Sequence, residues 1–409
     1  MKRVCVIGAG AAGLMASYTA ACGGNEVTVV EKNEKAGKKI YITGKGRCNV
    51  TNDVAPEGFF PNVVRNPKFL YGCIWSFPPS RLMQLLEEGG LPLKVERGNR
   101  VFPASDKASD VTKCLEHYCR RSGVTFSFNE KVEKIERLQS TMFDIITDKR
   151  EIEADAVIVC TGGLSYPATG SSGDGLRFAK EFGLALQPAR PALVGIECDM
   201  TRLDVQGLSL KNVRLSALRG GKELAGFFGE MLFTHFGISG PIALTLSSLI
   251  NRENLSDIAL RIDLKPALDA ATLDKRVLRD LSAYSNRQMA HAVEDLLPRR
   301  LILPVLEQAG IAAELPANSL TKGQRERLVG VLKGFSLRPL RLRPIEEGIV
   351  TSGGVDVHEI DPKTMECKKV PGLYFCGEVL DVDALTGGFN LQIAFSTGYA
   401  AGKAVCAQK

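Results

Sequence analysis

The sequence predicts an α/β fold in which a parallel nucleotide-binding sheet is built from both ends of the chain around an inserted β-rich region and a helical subdomain. Three observations predict it. The chain opens with an apolar strand, a glycine turn and a helix. A buried strand over Ala154–Gly163 ends in a second glycine turn, and a strand, a glycine turn and a small-residue helix close the sequence.

In order, VCVIGAGAAGLMASYTAACGG reads as strand, tight turn and helix, and NEVTVVEKN as the next strand. Residues 35–66, rich in Gly, Lys, Asn and Thr, read as a long functional loop. Stretches near 80–90 and 108–121 read as helices. VTFSFNEKVEKIERLQSTMFDIITD alternates like short antiparallel strands and leads to ADAVIVCTGG. From about Pro188 to Pro344 proline punctuates strand-like runs (GIECDM, NVRLSALRGG, IALRIDL) and helical runs over 268–309 and 319–334. Sheet character resumes at IVTSGGVDV. The expected division is therefore 1–187 and 346–409 for the nucleotide-binding domain, 188–267 with 335–345 for the β-rich insert, and 268–334 for the helical subdomain.

At 409 residues, 44% hydrophobic and 24% charged, the chain can bury a large core in two or three domains. Its 52 Lys and Arg against 46 Asp and Glu give +6, too dilute to single out nucleic acid. The 11 cysteines are scattered without a CxxC pair and read as thiols of a reducing cytoplasm rather than a disulfide framework. The four histidines show no metal-ligand spacing, so no metal is expected. Residues 4–24 are apolar, but five glycines and the charged strand end at Glu31 favour a mature domain over a signal peptide. No run has the length of a membrane span.

Gly8, Gly10 and Gly13 form G-x-G-x-x-G directly after the strand. The first permits the tight turn, the second lets the backbone approach a pyrophosphate, and the third lets helix pack on strand. Glu31, eighteen residues past Gly13, ends the next strand and suits a ribose diol. This fingerprint serves FAD and NAD alike. The later elements discriminate: the Thr161-Gly162 turn, and GLYFCGEVLDVDALTGGFNLQIAFSTG, which resembles the closing element of two-dinucleotide-type flavoproteins. There an acidic residue follows the strand and a helix N-terminus faces the flavin. Gly377, Glu378, Asp381, Gly387, Gly388, Phe389, Asn390 and Leu391 hold those positions.

GKKIYITGKGRCNVTN, RVFPASDKASDV, TGGLSYPATGSSGDG, LFTHFGISGP, GIVTSGGVDVHEID and the closing block resemble the signatures of the bacterial flavoprotein family of aminoacetone oxidase and BaiN-like 3-dehydro-bile acid Δ4,6-reductases. The resemblance covers essentially the whole chain. It implies a Rossmann-like FAD-binding domain interrupted by a β-barrel-like and a helical domain. It also implies that Gly8, Gly10, Ala12, Gly13, Glu31, Lys32, Lys38, Lys39, Arg47, Cys48 and Asn49 surround FAD. Lys38 and Lys39 are read as phosphate counter-ions or solvated lysines, Arg47 as a fork onto phosphate or flavin carbonyls, and Cys48 as a redox thiol or a buried filler. Val132 is read as a backbone partner of adenine or a core valine.

The reading implied is an FAD-dependent reductase of a conjugated C=C bond in a 3-oxo steroid or bile-acid-like small molecule. Since only one glycine fingerprint exists, NADH or NADPH would bind transiently as electron donor. Tyr166 and His235, in glycine-flanked blocks, are the candidate proton donors. An aminoacetone-type oxidase using O2 is the alternative, followed by a flavin-dependent RNA modifier and a redox sensor. Partners expected are a hydrophobic small molecule, with no nucleic acid and no membrane, in the cytoplasm.

Overall fold

A computed structural model describes residues 1–138, 142–201 and 203–407. The chain divides into two compact units, residues 1–192 with 345–409 and residues 193–344.

The first unit is organised by a five-stranded parallel sheet in the order Leu373–Phe375, Ala156–Val159, Arg3–Ile7, Glu26–Glu31, Thr125–Phe128. Val4 lies opposite Ala156 on one side and Val27 on the other. The inner strands are nearly all buried apolar residues because the sheet is covered on both faces. Thr125–Phe128, expected in an antiparallel set, instead joins Glu26–Glu31 in parallel. The helix Ala108–Arg121 before it supplies the crossover that a parallel edge strand needs. Antiparallel pairing begins only afterwards, with Val132–Leu138, Met142–Thr147 and Glu151–Ala154; residues 139–141 of that segment lie outside the described residues.

The closing helix Phe389–Ala407 is rich in small residues for a packing reason. A Cβ on Gly398 would stand 2.3 Å from the Ala12 carbonyl oxygen, and one on Gly402 2.6 Å from that of Ala16. The first helix, Ala11–Cys22, is thus packed backbone to backbone against the last. Residues 35–66, expected as one loop, contain the helices Lys38–Ile42 and Pro56–Phe59 and a two-residue strand, Thr51–Asn52.

The second unit has its own core, including Leu215, Phe233, Leu246, Leu273, Val305 and Phe335. Its seven-stranded antiparallel sheet carries the helices Ala270–Ala283, Arg299–Ala309 and Lys322–Lys333. Asp269 caps the first of these through Thr272 N–H, and Thr321 with Gln324 forms a capping box on the third. The boundaries at 192/193 and 344/345 differ from those read at 187/188 and 345/346. Leu186–Ala192 is held in the first unit by antiparallel pairing with Val350–Val355.

Candidate FAD site

The glycine turn sits at the carboxyl end of Arg3–Ile7, the middle strand of the parallel sheet. Gly8 has φ +100, a left-handed conformation, and a Cβ there would meet the Cys160 carbonyl oxygen at 2.6 Å. A Cβ on Gly13 would stand 1.9 Å from Gly8 O, whereas one on Gly10 would meet nothing within 4 Å. The first and third glycines are therefore required by the protein's own packing, and the second leaves open space where a pyrophosphate would approach. Gly10 precedes helix Ala11–Cys22 and places no capping side chain on its first N–H groups, and the first turn carries no acidic residue. Such an end is suited to an anion.

Glu31 is buried at the end of its strand. One carboxylate oxygen accepts from Ala9 N–H at 2.8 Å, and the other from the Asn33 N–H and side-chain amide at 2.8 and 2.6 Å. The acid is thereby pinned against the glycine turn, the position a ribose ligand requires. Asn49 Oδ1 is buried without a hydrogen-bond partner among the described residues, an acceptor that a bound donor would satisfy. The open approach at Gly10, the uncapped helix end, Glu31 and this acceptor together fit FAD.

Other expected ligands already have partners within the chain. Lys32 pairs with Asp174 at 2.6 Å, Lys38 with Glu34 at 3.1 Å and Lys39 with Glu378 at 2.7 Å. The guanidinium fork expected on phosphate or flavin is set on Glu96, with Asp106 beside it and the Phe102 ring beneath. Those pairings hold the Glu96 and Asp106 carboxyls below their ordinary ranges: Arg47 leads at Glu96 and Lys94 leads at Asp106. Asp381 accepts from Arg65 and Asn66 at 3.2 and 3.0 Å. Cys48 is fully buried, and burial pushes its thiol up to about 12, which fits the filler and opposes the redox thiol.

Glu378 is a junction. It receives Lys39, the Ser165 hydroxyl at 2.8 Å and Thr351 N–H at 2.9 Å. Burial raises its proton affinity, but Lys39 and the two donors outweigh that and hold the carboxyl below the ordinary glutamate range. Ser165 and Thr351 carried no sequence signal for this role, because their partner lies 213 and 27 residues away.

In the closing element, Asn390 accepts from Ala384 N–H and donates to its carbonyl at 2.9 and 2.7 Å, so its side chain closes the turn before the last helix. Phe389 packs edge-on against Phe59, Leu391 lies against the same core, and Gly388 abuts the Thr51 backbone. Gly377 lies against Ala12, with 3.0 Å from its would-be Cβ to the alanine Cβ, bringing both ends of the chain to one site. Thr161 Oγ1 packs on Gly175, and Gly162 has φ +72. Val132 is a buried core residue opposite Thr147. Tyr166 is exposed in the first unit at φ +50, while His235 is exposed between two strands of the second. No group of three or more candidate metal ligands occurs among the described residues.

The family described as HI0933-like protein Rossmann domain matches residues 2–404. A 3-dehydro-bile acid delta(4,6)-reductase of Clostridium scindens is 32% identical over 408 residues, covering 99% of both chains. A ribosomal RNA dihydrouridine synthase of Haemophilus influenzae is 32% identical over 411 residues, 98% of each. The solved 3-ketosteroid-delta4-(5alpha)-dehydrogenase of Rhodococcus jostii shares the fold, with TM-score 0.54, 15% identity, and coverage of 100% of this chain and 97% of that one. With the glycine turn, the buried Glu31 and the closing helix in place, this chain belongs to the HI0933-like family and is an FAD-dependent oxidoreductase.

Proposed function

We propose that the protein reduces a carbon–carbon double bond conjugated to a carbonyl, in a 3-oxo steroid or bile-acid-like small molecule, with NADH or NADPH as transient electron donor. The observation that supports this most is the end-to-end similarity to the bile acid reductase, 32% identical over 99% of both chains. Bound FAD would supply hydride chemistry at N5. The chain's own part is to hold the dinucleotide through the Gly8–Gly13 turn, Glu31 and Asn49, and to deliver a proton to the carbon next to the one that receives hydride. Tyr166 and His235 are the groups proposed for that transfer.

A second reading rests on charge. Residues 193–344 hold 21 Lys and Arg against 16 Asp and Glu, a net +5, whereas the other 257 residues hold 31 against 30. Nearly all of the excess lies in the inserted unit, which suits a polyanion. The name dihydrouridine synthase also describes saturation of a double bond conjugated to a carbonyl, here in a uracil base. The two readings share the reaction and differ in what carries the alkene.

The test is anaerobic bleaching of the yellow protein near 450 nm by NADH and by NADPH, followed by separate chases with a 3-oxo-4,6-diene steroid, a ribosomal RNA transcript, and air. Reoxidation by the steroid faster than by air supports the first reading, and reoxidation by RNA the second. Bleaching by aminoacetone with prompt recovery in air, and none by either nicotinamide, would replace both with an amine oxidase.

A further inference from the structure

The segment leaving strand Ala156–Val159 takes an indirect path to helix Asp174–Glu181. That strand lies between Leu373–Phe375 and Arg3–Ile7, so Glu26–Glu31 is not its neighbour. Yet the segment reaches the end of Glu26–Glu31. The Asn33 side chain donates to Thr169 O at 3.2 Å, and a Cβ on Gly170 would stand 2.6 Å from Asn33 Nδ2. Lys32 Nζ lies 2.5 Å from Ser172 Oγ and 2.6 Å from Asp174. To make these contacts the chain must cross the carboxyl end of Arg3–Ile7, where the Gly8–Gly13 turn sits.

The near end is tied as firmly. Leu164 and Ser165 N–H groups both donate to Thr351 Oγ1, at 2.8 and 3.1 Å. Ser165 Oγ accepts from Lys39 at 2.6 Å and donates to Glu378. Each tie is a lysine paired with a carboxylate: Lys32 grips Asp174 of the segment itself, Lys39 and Glu378 hold Ser165 from outside it, and the exposed Tyr166 lies between the two ties.

We propose that residues 164–174 are a strap across the dinucleotide turn, that Lys32 and Lys39 are its two latches, and that FAD leaves when the latches open. This rests on the FAD reading of the site and deepens it: the two lysines are positioning residues acting through Asp174 and through Ser165 with Glu378, rather than counter-ions of the FAD phosphates. Neutralising the anionic partner distinguishes the roles. A phosphate counter-ion freed from Asp174 would hold FAD more tightly, whereas a latch without its carboxylate lets FAD go.

The experiment times FAD release from the holoprotein by the rise in flavin fluorescence on dilution, for wild type, Lys32→Met, Asp174→Asn, Lys39→Met and Lys32→Met with Lys39→Met. Thermal unfolding of each apoprotein is recorded alongside. Release is expected to quicken about 10-fold for each single variant and about 100-fold for the pair, with Lys39→Arg returning the rate toward wild type; the apoprotein midpoint falls where Lys39→Met leaves the buried Glu378 without its cation, so release is timed well below every midpoint. Release from Asp174→Asn at or below the wild-type rate would overturn the strap. Should Asp174→Asn lower the apoprotein midpoint, the small change Ser172→Ala serves in its place, with faster release expected and wild-type release overturning the proposal. A wild-type protein that takes up no FAD would instead overturn the reading on which the strap rests.

Discussion

The second and third glycines of the fingerprint make opposite demands. Gly13→Ala places a methyl 1.9 Å from Gly8 O, so it should cost about 3 kcal/mol or more of apoprotein stability, visible as a lowered denaturation midpoint. Gly10→Ala meets nothing within 4 Å, so the apoprotein should melt as wild type while FAD affinity falls at least about 10-fold by flavin fluorescence titration. Equal loss of stability in both variants would mean that Gly10 has a packing role. Cys48 belongs to this scale as well. A buried thiol pushed up to about 12 is almost wholly protonated at neutral pH, so native protein should leave it unmodified by iodoacetamide, and Cys48→Ala should retain redox activity. Of the proposed proton donors, Tyr166→Phe or His235→Asn should lower the rate of steroid-driven reoxidation about 100-fold without changing reduction by nicotinamide.

Helix Phe389–Ala407 matters less for its sequence of apolar residues than for where it lacks side chains. Gly398→Ala would drive a methyl to 2.3 Å from Ala12 O, forcing the last helix off the first. A cost of about 1–3 kcal/mol is expected, with loosened FAD, because the displaced backbone is that of the dinucleotide turn. The strap elements carry the pH dependence. At Asp174 and Glu378 burial raises the carboxyl and the paired lysine outweighs it, so each folded-state value lies below the ordinary one. Depressed acids contribute stability that is full above the unfolded value, about pH 4, and is lost as pH falls through the folded value. FAD retention should therefore be flat from neutrality to about pH 5 and decline below it. The decline should vanish in Asp174→Asn combined with Glu378→Gln, where retention is already low.

For the whole molecule, the uneven charge gives the sharpest contrast between substrates. If RNA is the substrate, its affinity should fall steeply with salt in proportion to the phosphates contacted, while steroid affinity would hardly change. Binding of RNA with a shallow salt dependence would remove the reason for preferring a polyanion. Among the described residues no helix is long and apolar enough to cross a membrane.

Much of the nucleotide-binding half was legible from residues alone. A run such as VCVIG before G-x-G-x-x-G has one physical solution, because local sterics, strand propensity and helix packing all act within about thirty residues of each other. The same local logic placed the helices near 80–90 and 108–121 and the small-residue helix at the end. What a lysine does is another matter. Lys39 looks like any loop lysine in the sequence, and its meeting with Glu378, 339 residues away, exists only once the sheet order has brought two strand ends together. Arg47 was read as a ligand for the same reason that it became a partner of Glu96: a guanidinium takes whichever carboxylate or phosphate the fold presents, and only the tertiary structure presents one. Sequence by itself determined the turn, the helix and the chemistry they suit. Tertiary structure decided which charges face one another, because electrostatic partnership depends on distance in space and carries no local periodicity.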